Sequence, residues 1–149
     1  MVTTFNLQSM ITVKDVLHQT RFRPMTAHLY IKAAVLDANT CFYNAFAHAD
    51  FSAMSDLWGK KGPIAVEHPG ADRIIGRVGV LHSWRMILRA PPPITATVED
   101  VIDDEDQWAV ICQEDLGRVV LRMVNVFQEE DGAWKMIYHG PAPDRQLSS

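Results

Sequence analysis

The chain has 149 residues, of which 48% are apolar and 21% charged, and its formal net charge is −4. This length suits one globular domain, and the apolar content excludes a disordered chain. The mild negative charge carries no basic stripe, which argues against nucleic acid as a partner, and no apolar run reaches the roughly 18 residues of a membrane-spanning helix.

Residues 1–24 are predicted to form an N-terminal arm, followed by one domain at 25–143 and a polar tail at 144–149. The arm has neither the basic start and apolar core of a signal peptide nor the Arg-rich amphipathic helix of a transit peptide. Cys41 and Cys112 fit no metal spacing and lie in apolar runs, so both are expected to be buried free thiols. A cytoplasmic location is therefore expected.

Apolar residues recur with helical period from about residue 30 to 49, which predicts a long helix with one buried face. Asn39 is assigned to the opposite, polar face. Asp50 is expected to cap a second, shorter helix by accepting from the free amides of its first turn, and Gly59 is expected to end it. The apolar row of the long helix is Val35, Phe42, Phe46 and Ala49.

A short strand is predicted at residues 64–68, closed by Pro69 and Gly70, and a third helix at 76–90, stopped by three prolines. The rest of the chain has the period of strands. The Asp131-Gly132 pair predicts a hairpin between the last two of them. The remaining strands are predicted at 94–99, 108–113, 118–127 and 133–139.

Helices that precede a meander of strands predict an α+β domain, in which three N-terminal helices pack on one face of a strongly curved, mainly antiparallel sheet. Arg118 and Arg122 alternate with apolar residues, which indicates that one face of the sheet is at least partly wet. A sheet curled around helices makes a cone, and the concave side of the cone is a natural pocket for a small molecule.

Several motifs occur in a familiar order between about residues 30 and 143. They are Phe42-Tyr43, Ala45-Phe46, the Asp50–Met54 run, Trp58, the Val66–Gly70 run, Gly76, Val80, Ser83-Trp84 and the Trp134–His139 run. In this order and spacing the chain resembles the SnoaL-like branch of the nuclear transport factor 2-like superfamily, which includes ketosteroid isomerase and polyketide cyclases. The resemblance implies a cone-shaped domain with a pocket, a homodimer and no cofactor.

His68 and His139 each close a predicted strand, and in the resembling fold these strand ends lie near the mouth of the pocket. Imidazole is suited to proton transfer near neutral pH, so both histidines, with the neighbouring Tyr138, are the candidate catalytic residues. The alternative is that each histidine is structural and bonds to backbone. Glu67 beside His68 does not make a metal site, because no fixed ligand spacing is present.

Trp84, Trp58 and Tyr43 are candidate ligand-binding residues, since they can line a pocket for a flat apolar molecule and donate hydrogen bonds to it. Ordinary core packing is the alternative for all three. Arg122 joins this group if it faces the interior, where it needs a partner, and belongs to a dimer contact if it faces outward. Glu114, which as a buried carboxylate would be a candidate base, is assigned to a solvated turn.

Three functions are consistent with this sequence, of which the third is an association domain for a larger complex, indicated by an exposed apolar face of the sheet. The first is a cofactor-free enzyme of the isomerase, cyclase or dehydratase type, which transfers a proton on a small apolar molecule through His68, His139 and Tyr138. The second is a non-catalytic ligand-binding or homodimerisation module. Polar groups that converge inside the cone favour the enzyme, whereas an apolar or filled cone favours the module.

Overall fold

The computed structural model describes residues 25–104 and 106–144. The predicted arm at 1–24 and residues 145–149 of the predicted polar tail lie outside the described residues. Within the described ranges the chain folds into helices followed by a sheet, and the helices pack on one face of it. The predicted α+β class and the mainly antiparallel sheet are confirmed.

The described residues form three helices: α1 spans Met25–Ala47, α2 spans Phe51–Leu57 and α3 spans Arg77–Ile87. The first helix begins five residues earlier than predicted. Asp50 caps α2 as expected, because its carboxylate accepts from the Ala53 amide at 3.0 Å. No helix of the described residues is long and apolar enough to cross a membrane.

The strands of the described residues form one sheet in the order β2-β1-β6-β5-β4-β3. Neighbouring strands are antiparallel except β1 and β6, which are parallel. The strands are β1 at Ala65–Val66, β2 at Ile74–Ile75, β3 at Thr95–Asp104, β4 at Gln107–Asp115, β5 at Val120–Glu130 and β6 at Ala133–Pro141.

The predicted strands differ from the observed ones in their bounds. The strands predicted at 94–99, 108–113 and 133–139 are longer in the structure, as β3, β4 and β6. The strand predicted at 64–68 is reduced to the two residues of β1, and β2 was not predicted, because two residues give no recognisable period. The strand predicted at 118–127 begins two residues later and continues to Glu130. Its extension pairs with β6 across the turn at Asp131 and Gly132, where both residues adopt positive φ angles of 53° and 84°.

A β-bulge in β6 decides which side chains of this strand face the helices. Val126 pairs with Tyr138 and Phe127 pairs with Met136, so Ile137 is an extra residue in the ladder. Met136 and His139 are three residues apart, and regular alternation would place them on opposite faces. Because the bulge absorbs one residue, both side chains are buried on the inner face of the sheet.

The core lies between this inner face and the helices. Phe42 of α1, Trp84 of α3 and Trp108 of β4 are among its largest fully buried side chains. Cys112 is buried, as expected, but the prediction for Cys41 is wrong, because its side chain is exposed on α1.

Candidate active site

A group of polar side chains lies inside the core, between α1 and the strands β4, β5 and β6. Asn125 of β5 and His139 of β6 are directly paired across the ladder. Glu114 is the last inward-facing residue of β4. Asn39 and Tyr43 are four residues apart on α1, so they occupy the same face of the helix. We call these five residues the polar cluster.

Hydrogen bonds connect the members of the polar cluster. The Tyr43 hydroxyl donates to Glu114 Oε2 at 2.6 Å. The Asn125 amide donates to Asn39 Oδ1 at 2.8 Å and to the Tyr43 oxygen at 3.1 Å. His139 Nδ1 lies 2.6 Å from Asn125 Oδ1. The cluster is thus a continuous network, as buried polar groups require if they are not to destabilise the fold.

Glu114 is a buried carboxyl group, with only 2% of the residue exposed. Burial disfavours its charged form and raises its pKa, while the hydrogen bond from Tyr43 acts in the opposite direction. Burial and the neighbouring Glu114 together raise the pKa of Tyr43, which keeps the phenol protonated as a donor. The Tyr43 phenol is therefore a donor to the Glu114 carboxyl group inside the core.

His139 is also 2% exposed. Burial, with a smaller contribution from His68, lowers the pKa of His139 to about 3, so its imidazole is neutral at physiological pH. Its Nε2 atom lies 3.9 Å from Glu114 Oε2, which is too far for a hydrogen bond. The contact is not an ion pair, because burial opposes the charge on both groups. A neutral base and a carboxyl group therefore face each other.

Aromatic rings surround this facing pair on the side of α1 and α3. The Trp84 ring lies 4.9 Å from the His68 ring and 5.7 Å from the His139 ring, centroid to centroid. Phe42 lies 5.0 Å from His139, and the two histidine rings are 6.5 Å apart. His68 Nε2 is 3.0 Å from the Ser83 hydroxyl, and burial lowers the pKa of His68. The structure thus brings together His68, His139, Trp84 and Tyr43, all of which the sequence singled out.

Tyr138 is placed differently from the other predicted catalytic residues. It precedes His139 on β6 and faces away from the polar cluster. Its hydroxyl donates to Glu67 Oε2 at 2.9 Å, and the Arg73 guanidinium lies 5.4 Å from its ring centroid. Burial and the bond to Glu67 raise its pKa.

Trp58 and Arg122 also lie apart from the polar cluster. Trp58 is buried at the C-terminus of α2, where its carbonyl accepts from Arg77 at 2.8 Å, and among the described residues no ring contact joins it to Trp84. Arg122 is on the outer face of the sheet, paired with Glu99 at 2.9 Å and donating to the Pro143 carbonyl at 2.7 Å. Arg122 therefore faces outward, and its place in a dimer contact stays a prediction.

Three members of the polar cluster were not identified as site residues from the sequence. The assignment of Glu114 to a solvated turn is wrong, because β4 continues to Asp115 and alternation turns Glu114 inward. The assignment of Asn39 to the polar face of the helix is also wrong, since it is 3% exposed. Asn125 was part of the predicted strand period, but its polarity was given no role.

Metal binding was not expected from the sequence, and the described residues offer no group of three or more His, Cys, Asp or Glu side chains that could hold an ion. The donors of the polar cluster are two amides, a phenol, an imidazole and one carboxyl group. This set is suited to hydrogen bonding and proton transfer.

Comparison with known proteins adds independent information. A family model described as a SnoaL-like domain matches residues 35–142. A candidate dehydratase of the nuclear transport factor 2-like family from Streptomyces avermitilis is 30% identical, with 75% of this chain and 96% of that chain covered and a TM-score of 0.63. No protein of curated function matches the sequence.

Two further solved structures share the fold at lower identity. A candidate association domain of calcium/calmodulin-dependent protein kinase type II from Thiobacillus denitrificans is 24% identical, covers 71% of this chain and 93% of its own, and has a TM-score of 0.62. A nuclear transport factor 2-like protein of unknown function from Silicibacter pomeroyi is 14% identical, with 78% and 97% coverage and a TM-score of 0.58. These two matches establish the fold alone.

Proposed function

Because the chain belongs to the SnoaL-like domain family, we propose that it is a cofactor-free enzyme that transfers a proton on a small apolar molecule. The reaction class is that of a dehydratase, isomerase or cyclase. One observation carries the proposal: the neutral His139 imidazole faces the Glu114 carboxyl group across 3.9 Å inside the core. An imidazole without a second proton beside a carboxyl group whose protonated form is favoured by burial gives the starting states of a general base and a general acid.

The division of roles follows from the two environments. His139 Nε2 is a neutral base, so it is suited to remove a proton from the carbon next to a substrate carbonyl. Glu114 in its acid form, supported by Tyr43, is suited to return a proton to a leaving hydroxyl or to another carbon. In a dehydration the substrate loses one proton to His139. Its hydroxyl group leaves with a proton from Glu114, as one molecule of water. Exchange with solvent then removes the proton from His139 and returns one to Glu114.

Substrate binding is assigned to the aromatic side of the site. Trp84 packs edge to face against Phe42 and against His68, so this side of the site is aromatic, which favours an apolar substrate. The Trp84 indole N–H is buried and has no hydrogen-bond partner among the described residues. A buried donor of this kind is satisfied by an acceptor such as a ligand carbonyl or a water molecule. The candidate dehydratase that is 30% identical supports this reaction class.

A panel of cyclic β-hydroxy ketones and cyclic β,γ-unsaturated ketones tests the proposal. Both substrate types give a conjugated enone, which is followed by its ultraviolet absorbance. We expect H139N and E114Q each to lower kcat by about 100-fold or more. H82N is the matched control, because His82 is an exposed histidine on α3. Full activity in H139N, or no enone from any compound with the wild-type protein, would contradict the proposal.

A second candidate function is homodimerisation through the outer face of the sheet. Ile102 and Val120 lie on this face and are 44% and 59% exposed. A second copy of the chain packed on this face would cover both side chains. Light scattering on the wild-type protein and on I102K/V120K tests this candidate. A dimer that dissociates in the double variant is expected, whereas a wild-type monomer at high concentration would refute it.

A further inference from the structure

We propose that Asn125 is a positioning residue that fixes the tautomer of His139. Its side-chain oxygen holds the imidazole proton on Nδ1, so that Nε2 is left without a proton and faces Glu114. The inference deepens the proposed proton-transfer function and rests on it for its catalytic meaning. The tautomer itself follows from hydrogen bonds within the chain, and it is measurable without a substrate.

The direction of the hydrogen bonds can be followed outward from Glu114. The Tyr43 hydroxyl donates its one proton to Glu114 Oε2, which can accept it as a carboxylate oxygen or as the carbonyl oxygen of the acid form. The Tyr43 oxygen then accepts, at 3.1 Å, from Asn125. The NH₂ group of Asn125 therefore points toward Tyr43, and its oxygen points toward His139. Because that oxygen cannot donate, the short 2.6 Å contact requires a proton on His139 Nδ1.

A second branch of the network gives the same orientation for Asn125. Its NH₂ group also donates to Asn39 Oδ1 at 2.8 Å. The NH₂ group of Asn39 then lies 3.5 Å from the sulfur of Cys112, which accepts weakly. Rotation of the Asn125 amide alone would place two carbonyl oxygens 2.8 Å apart with no proton between them. Both branches thus favour a single orientation.

His68 is held in the opposite tautomer and gives an internal reference. The Ser83 hydroxyl donates to the Val80 carbonyl at 2.7 Å, so its oxygen is left to accept from His68. The partner atom is His68 Nε2, at 3.0 Å, which therefore carries the ring proton. Two imidazoles whose rings are 6.5 Å apart are thus expected to differ in the nitrogen that carries the proton.

Nuclear magnetic resonance of protein labelled with ¹⁵N at histidine tests the inference directly, since the two ring nitrogens have different shifts when protonated and unprotonated. The His139 ring is assigned through its proximity to Phe42, whose centroid is 5.0 Å away. In the wild-type protein near pH 7 we expect the proton on Nδ1 in His139 and on Nε2 in His68. A wild-type His139 with its proton on Nε2 would overturn the inference by itself.

Variants at Asn125 separate positioning from a merely structural role. N125L removes the acceptor, so the Nδ1–H signature of His139 should be lost. N125D should retain it, because a carboxylate also accepts from Nδ1–H, and this variant decides the matter if N125L does not fold. Q128L is the matched control, since it removes an amide from the outer face of the same strand. An N125L protein that keeps the Nδ1–H signature would also overturn the inference.

The failure of this inference is distinguishable from the failure of the proposed function. If His139 has the expected tautomer but the protein turns over no ketone, the proposed enzyme function is refuted and the positioning role of Asn125 is retained. If enone is formed, N125L should lower kcat by about tenfold or more with little change in KM, because the base, not the binding surface, is affected. An N125L enzyme with wild-type kcat would refute the role of Asn125 in catalysis.

Discussion

Replacement of His139 by asparagine should change how the stability of the protein depends on pH. Asparagine keeps an amide N–H near the place of Nδ1–H but cannot titrate. In the folded wild-type protein the pKa of His139 is lowered to about 3, whereas an unfolded histidine titrates near 6.5. Between these two values the unfolded chain binds more protons than the folded one, so stability falls as the pH is lowered.

The size of the effect follows from the two pKa values. At pH 5 the unfolded histidine is almost fully protonated and the folded one is neutral, so the wild-type protein loses about 2 kcal/mol relative to neutral pH through this one group. The raised pKa of Glu114 acts in the opposite sense, because its contribution is lost as the pH rises through the folded-state pKa. Since Glu114 is present in both wild type and H139N, the difference between their stability curves gives the contribution of His139 to the pH dependence.

Urea unfolding followed by circular dichroism, at several pH values between 7.5 and 5, measures this difference. H139N is expected to be less stable than wild type at pH 7.5, and the gap should narrow by about 2 kcal/mol at pH 5. H82N, which changes an exposed histidine, should follow the wild-type curve. Parallel stability curves for wild type and H139N over this range would show that the imidazole is not held neutral by burial.

Three further changes test other parts of the structure by chemical denaturation. R77A should lower the free energy of unfolding by about 1–3 kcal/mol, because it leaves the carbonyls of Ser55, Trp58 and Gly59 without their shared donor. R89A changes an exposed residue, so it should change the free energy of unfolding little. D50A should cost about 1 kcal/mol by removing the cap of α2, and an unchanged midpoint would contradict the capping role. W84A should cost about 3–5 kcal/mol through the cavity it leaves, and a loss below 1 kcal/mol would show that the site collapses around it.

The fold was largely predictable because it depends on local pattern. Helical period indicated α1 and α3, and strand period indicated the hairpins, since each buries one continuous face. The helical period of α1 also places Asn39, the site residue that was not identified, on the same face of the helix as Val35 and Phe42. Its polarity argued for the opposite face, and the partner that satisfies it, Asn125, is 86 residues away. No local pattern can reveal such a partner.

Glu114 illustrates the same limit in a strand. Inward alternation continues through Val110 and Cys112 to Glu114, but a carboxylate followed by Asp115 and a glycine is also typical of a turn. Whether Glu114 lies in a strand that faces the core or in a solvated turn depends on whether the core contains a hydrogen-bond donor for its carboxyl group. Tyr43, 71 residues earlier in the chain, is that donor. The polar cluster is thus a property of the assembled fold and not of any segment.

Because of the extra residue in β6, the number of residues in this strand does not by itself decide which of its side chains face the core. Ile137 is absorbed by the bulge, so a chain without it would still carry Met136 and His139 on one face, in a straighter strand. A straightened strand of full length would instead exchange histidine for the phenol of Tyr138. Whether the interior contains an imidazole or a phenol at this point therefore depends on whether the full-length strand keeps its bulge, and the pairing of the other strands need not change.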